Sequence, residues 1–118
     1  MHVHVMIEQV HPGDLQNWME KVRAFGQPIV LDVREPNELE RASVKADGFE
    51  LVHIPMGVIP PRLGELDPSR PVACLCHHGA RSMRVAAFLE YQGFQHIANI
   101  SGGINAWSNQ LDPTVPRY

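Results

Sequence analysis

The stretch Cys76-His77-His78-Gly79-Ala80-Arg81-Ser82 gathers the residue types that covalent chemistry at sulfur needs. A cysteine attacks as the thiolate, so a reactive cysteine wants hydrogen-bond donors and positive charge around it. Gly79 allows the loop to curl with its amides turned inward, and Arg81 supplies a fixed cation. A helix starting after the loop would aim its free N–H groups and positive dipole end at the same place. That combination favours an anion, either on sulfur or on a reactant beside it. Cys74 has the opposite setting. It lies inside an apolar run, without loop or cation, and reads as an inert core residue.

The charge pattern agrees. Residues 1–59 carry five basic and nine acidic side chains, whereas residues 60–118 carry five and four. No acid stands between Asp67 and Glu90, so the cysteine loop is a locally positive stretch of an acidic chain.

Apolar periodicity supplies the elements that must position this loop. Residues 71–76 form a continuous apolar run, as in a buried parallel strand, and lead straight into it. Residues 81–91 follow as an amphipathic helix with Val85, Phe88 and Leu89 inward, stopped by Gly93. Upstream, residues 3–7 read as a strand, and Pro12-Gly13-Asp14 opens a helix. Its inward residues are Leu15, Trp18, Met19, Val22 and Phe25, and Gly26 ends it. Residues 28–33 form a second buried strand ending in charge, and Pro36 starts a short helix to about residue 40. A strand over 49–54, a turn over 57–61 and a brief helix over 62–66 fill the middle. A strand over 96–100, a helix over 104–111 and an extended tail from 112 complete the chain. Strands alternating with helices predict an α/β fold with a mainly parallel sheet. In such sheets ligands bind beyond the carboxyl ends of the strands, which is where Cys76 falls.

Composition closes off other classes. The 118 residues are enough for one domain, spanning 1–118, and 44% hydrophobic with 19% charged is globular. A net charge of −3 argues against nucleic acid or an anionic membrane surface as partner. No apolar run approaches the roughly 20 residues a membrane span needs. The first six residues lack a cationic flank and a cleavage site and do not read as a signal peptide. Cys74 and Cys76, two apart on a strand, are badly placed for a disulfide, which favours a reducing, cytoplasmic setting. Nothing in the sequence specifies an oligomeric state.

Three motifs, in order and across essentially the whole chain, resemble the rhodanese family of sulfurtransferases in its single-domain form. Leu31-Asp32-Val33-Arg34-Glu35 is similar to the family's Asp-x-Arg signature at the end of a central strand. The Cys76 loop is similar to its active-site loop, and Gly102-Gly103-Ile104-Asn105-Ala106-Trp107 to its closing Gly-Gly-x-x-Ala-Trp. Val52-His53-Ile54-Pro55-Met56-Gly57 departs from the family's Gly-His-Ile-Pro-Gly-Ala at Val52 and Met56.

The resemblance implies a three-layer α/β/α fold and sulfur transfer without a cofactor. Cys76 would accept a sulfane sulfur from a donor such as thiosulfate and hold it as a persulfide. It would then pass the sulfur to a thiophilic acceptor such as cyanide or a thiol, small or borne on a protein. His77, His78, Gly79, Ala80 and Arg81 would line the site, their amides cradling the sulfur and Arg81 attracting an anionic donor. Asp32, Arg34 and Ser82 would support the loop from behind. Two other functions fit the same fold. A non-catalytic binding module would be expected to lack the cysteine. A cysteine phosphatase needs five residues between cysteine and arginine, and only four separate Cys76 from Arg81. Adjacent His77 and His78 do not make a metal site, since neighbours rarely converge on one ion and no second ligand pair has zinc spacing. One imidazole lines the pocket or both face solvent. His2 and His4 read as edge residues, and Gly102-Gly103 as a tight turn that leaves Trp107 in the core.

Overall fold

The computed structural model describes residues 7–118. Among the described residues, five short strands form one wholly parallel sheet: β1 (Glu8–Val10), β2 (Ile29–Asp32), β3 (Glu50–His53), β4 (Val72–Leu75) and β5 (Ile97–Ile100). The helices are α1 (Leu15–Val22), α2 (Pro36–Arg41), α3 (Ala80–Tyr91) and α4 (Gly103–Gln110). Strand order is β1-β5-β4-β2-β3. From β2 the chain winds towards one edge and from β4 towards the other. The carboxyl ends of β2 and β4 therefore flank the switch in winding, the natural crevice of an open α/β sheet.

Residue alternation sorts the core onto the two faces of the sheet. Val30, Ala73, Leu75, Ala98 and Ile100 point to one side, where Leu15, Trp18, Met19, Ile104 and Trp107 cover them. Ile29, Leu31, Val72, Cys74 and Ile97 point to the other, beneath Val85, Ala86 and Leu89 of α3. Both faces are dry, which is why the central strands read as unbroken apolar runs. This is the α/β, three-layer architecture expected. Among the described residues, no helix is long and apolar enough to cross a membrane.

Several local expectations change. Among the described residues the first strand lies at Glu8–Val10, paired in register with Ala98, Asn99 and Ile100. Of the segment 3–7 only Ile7 is described, outside a strand; residues 1–6, with His2 and His4, lie outside the described residues. The helix after Pro12 is a 3-10 turn, a two-turn α-helix and a second 3-10 turn. Its last residue, Phe25, faces outward and stacks on His96 at 3.8 Å. The 62–66 helix is a 3-10 segment, Pro60–Glu65. Val52 and Met56 sit in β3 and a 3-10 turn, and among the described residues only glycines have positive φ. The tail is not extended throughout: it turns at Asp112, buries Val115, and brings Tyr118 back to the Cys76 loop.

Candidate active site

The sheet delivers Cys76 to the switch point and leaves it 1% exposed. β4 ends at Leu75, whose carbonyl accepts the Val33 N–H at 2.9 Å and ties this end to β2. Beyond it the chain must reverse into α3. Gly79 makes that turn at φ 108°, a conformation that side chains resist, and stands as the residue before the helix. Its N–H then points back and donates to Cys76 Sγ at 3.1 Å. Ser82, buried one turn into α3, places its Oγ 3.2 Å from the same sulfur.

Ser82 has a single hydroxyl hydrogen and two acceptors within reach: Cys76 Sγ and, at 2.6 Å, Asn99 Oδ1. The orientation of Asn99 is fixed by its amide, which donates to the Gly79 carbonyl at 3.2 Å and to Gln9 Oε1 at 2.9 Å. The short bond to Asn99 takes the hydrogen while the sulfur is a neutral thiol, and rotation can offer it to a charged sulfur. Asn99 thereby joins β5 to both ends of the loop.

The loop is held from the other side by α4. Ile104 N–H donates to the Cys76 carbonyl at 2.8 Å and Asn105 N–H to the His77 carbonyl at 3.2 Å. This contact requires Gly103, where a Cβ would overlap both carbonyl oxygens. The Gly-Gly pair is thus more than a turn: its second member lets a helix start dock on the cysteine loop.

The Asp-x-Arg pair forms a buried fork. Arg34, fully buried, donates from Nε and Nη2 to the Asp32 carboxylate, with a closest approach of 2.8 Å. Nη2 also bonds the Ala42 carbonyl at 2.9 Å, and Nη1 the Glu38 carbonyl at 3.3 Å and the Tyr118 hydroxyl at 3.0 Å. Neither residue has a hydrogen bond to the loop. Their influence passes through Tyr118 and Glu38. The Tyr118 ring stacks on His77 at 3.9 Å, and its carbonyl accepts from His77 Nε2 at 2.7 Å. His78 is exposed and stacks on the other side of His77 at 3.9 Å. Ala80 is exposed as well.

Arg81 differs from expectation. Its guanidinium is bound by both oxygens of Glu38, at 2.6 and 2.8 Å, so the loop's cation is paired with an acid 43 residues upstream. Each partner favours the other's charged form: Arg81 holds the Glu38 carboxyl far below the usual carboxylate range, and Glu38 raises Arg81. Glu38, Tyr118, Asn99, Gln9 and the docking role of Gly103 escaped the sequence reading. For Glu38 a signal existed, since its place three residues after Glu35 at a helix start is capping-box spacing. Tyr118 offered none.

The site thus gathers a buried cysteine with amide and hydroxyl donors, a closed arginine fork and a paired cation. Comparison with known proteins places the chain among its relatives. The rhodanese-like domain family matches residues 11–110. A chloroplastic rhodanese-like/PpiC domain-containing protein of Arabidopsis thaliana is 36% identical over 95% of this chain, which spans 38% of that longer protein. A putative sulfurtransferase of Bacillus subtilis is 35% identical over 80% of this chain and 86% of its own length. The crystal structure of a rhodanese-related protein from Thermoplasma volcanium superposes with a TM-score of 0.74 at 28% identity, covering 94% of this chain and 99% of that one. With its motifs, parallel sheet and cysteine loop all in place, this chain belongs to the rhodanese-like family.

Proposed function

We propose that the protein is a sulfurtransferase that carries sulfane sulfur as a persulfide on Cys76, within a single rhodanese domain over residues 1–118. The Cys76 thiolate attacks the outer sulfur of a small donor such as thiosulfate. The S–S bond breaks and sulfite leaves with the bonding pair. A thiophilic acceptor, cyanide or a thiol on a small molecule or a protein, then attacks the outer sulfur and Cys76 leaves as thiolate. Both steps are displacements at sulfur that consume no redox equivalent, so the chemistry calls for neither metal nor cofactor. Gly79 N–H and the Ser82 hydroxyl reach Sγ and stabilise the thiolate that attacks in the first step and leaves in the second. Asp32 and Arg34 hold the floor through Tyr118 and Glu38, and His77 braces the loop. Both cysteines are free, and we assign the reaction to a reducing, cytoplasmic compartment.

The observation that carries this reading is the position of Cys76 Sγ. It lies at the switch point, 3.1 Å from an inward-turned amide, in a loop with four residues before its arginine. Intact-mass and peptide mass spectrometry after incubation with thiosulfate tests it. The expected product carries one added sulfur on Cys76. No adduct, or one confined to Cys74, overturns the reading.

A further inference from the structure

Arg81 is the cation beside the loop, yet an incoming anion does not meet it free. Its Nη1 and Nη2 donate to the two oxygens of Glu38 in a bidentate fork. Glu38 is itself pinned from two further directions. Its Oε2 accepts the Tyr118 hydroxyl at 2.7 Å, and its Oε1 accepts the Glu35 backbone N–H at 3.0 Å. The Tyr118 hydroxyl is held in turn by Arg34 Nη1. The Glu38 side chain is 14% exposed and that of Arg81 31%. Swinging Glu38 aside would release Arg81, leave the Tyr118 hydroxyl hydrogen without its acceptor and undo the start of α2 together. An anionic donor therefore approaches an ion pair of zero net charge, with a fixed carboxylate on one side.

We propose that Glu38 sets donor selectivity, disfavouring dianionic sulfur donors relative to monoanionic ones. This rests on the sulfurtransferase reading and adds a substrate class to it. Thiosulfate and an alkanethiosulfonate separate the effect cleanly. Attack on thiosulfate by the Cys76 thiolate breaks its S–S bond and releases sulfite; attack on the thiosulfonate breaks the same bond and releases a sulfinate. Each leaves one persulfide on Cys76 and conserves charge. The donors differ chiefly in the second negative charge, which interacts with Glu38 and gains no free guanidinium in return.

The experiment compares kcat/KM for thiosulfate and methanethiosulfonate in the parent and in Glu38→Gln. The amide preserves size and leaves an acceptor for Arg81 or Tyr118. Thiosulfate should gain about tenfold, the order of effect of removing one charge from a partly screened site, and methanethiosulfonate less than about threefold. Adding Arg81→Met to Glu38→Gln should remove the gain. Tyr118→Phe, which keeps the ring and frees Glu38 of one donor, should move the ratio the same way by a smaller factor; it decides alone if Glu38→Gln does not fold. An unchanged ratio between donors, whatever both activities do, overturns the role of Glu38. Mass spectrometry on the same samples separates the two readings. A persulfide on Cys76 with an unmoved ratio sinks only the selectivity, whereas no persulfide from either donor sinks the sulfurtransferase.

Discussion

Cys74 and Cys76 stand two residues apart on one face of one sheet, in the same apolar cluster, at 0% and 1% exposure. Burial does not distinguish them. Cys74 lies mid-strand, paired in register with Leu31 and Asn99, where every backbone group is spent on the ladder. Burial pushes its thiol well above the ordinary range, so it stays protonated and inert. Cys76 lies one residue past the strand end, where backbone N–H groups are no longer consumed by neighbouring strands. There a glycine can turn one amide back onto the sulfur and a helix can bring in a hydroxyl. What separates the two settings is the end of the ladder, not access to water.

The harshest test of that contrast replaces each thiol in turn. Cys76→Ser should reduce sulfur transfer from thiosulfate to cyanide by about a thousandfold or more, because the nucleophile itself is gone. Cys74→Ala removes one buried sulfur, costs about 1–2 kcal/mol in a denaturant melt, and should leave kcat within about threefold. Comparable losses in two folded variants would erase the distinction.

Next comes the support that only the Cys76 side possesses. Gly103→Ala places a methyl against the Cys76 and His77 carbonyls at a φ of 59°, so the start of α4 must retreat from the loop. We expect a loss of about 1–3 kcal/mol in stability and a tenfold or larger fall in kcat/KM. Full activity in this variant would show that α4 does not hold the loop. Ser82→Ala is milder. It removes the hydroxyl between Sγ and Asn99 and leaves Asn99 Oδ1 without that donor, at a cost of about 1–3 kcal/mol. Steady-state kinetics should show kcat down about tenfold, with Ser82→Thr recovering part of it and Asn99→Ala matching the stability loss but not the rate loss.

How much of this could be read from the chain follows the same division. The sheet and the strand–loop–helix around Cys76 were legible because parallel strands buried on both faces write continuous apolar runs, and glycine marks the turn. Cys76 and Gly79 were legible because each is local to a strand end, whereas Asp32 and Arg34 stand out only through the resemblance to the family signature. The Glu38–Arg81 pair joins residues 43 apart, and the Tyr118–His77 stack residues 41 apart. Neither leaves a periodic trace. From its sequence neighbours alone Arg81 therefore reads as a fixed cation for the donor, and the tail reads as extended because its partner lies in another element. Phe25 failed differently. It kept helical spacing, but the helix tightened into a 3-10 turn and rotated it outward.

The finest probe of the Cys76 side is the brace on its outer face, and it is read by pH. His77 lies between Tyr118 and His78 and donates from Nε2 to the Tyr118 carbonyl. Burial holds the imidazole below its ordinary range, helped by His78 and Arg81 and opposed by the Tyr118 carbonyl and Glu38. The folded chain thus binds the His77 proton less readily than the unfolded chain does. Stability from this group is complete above the unfolded value near pH ~6.5 and is lost as pH falls from there through the lower folded value. His77→Gln keeps a donor without the titration. Melting temperatures measured from pH 8 to pH 5 should run parallel for parent and variant above about pH 7. Below it the parent should lose a few degrees relative to the variant. A parent that gains on the variant as the solution is acidified would mean that His77 is stabilised as the cation, and that the stack braces the loop by charge rather than by burial.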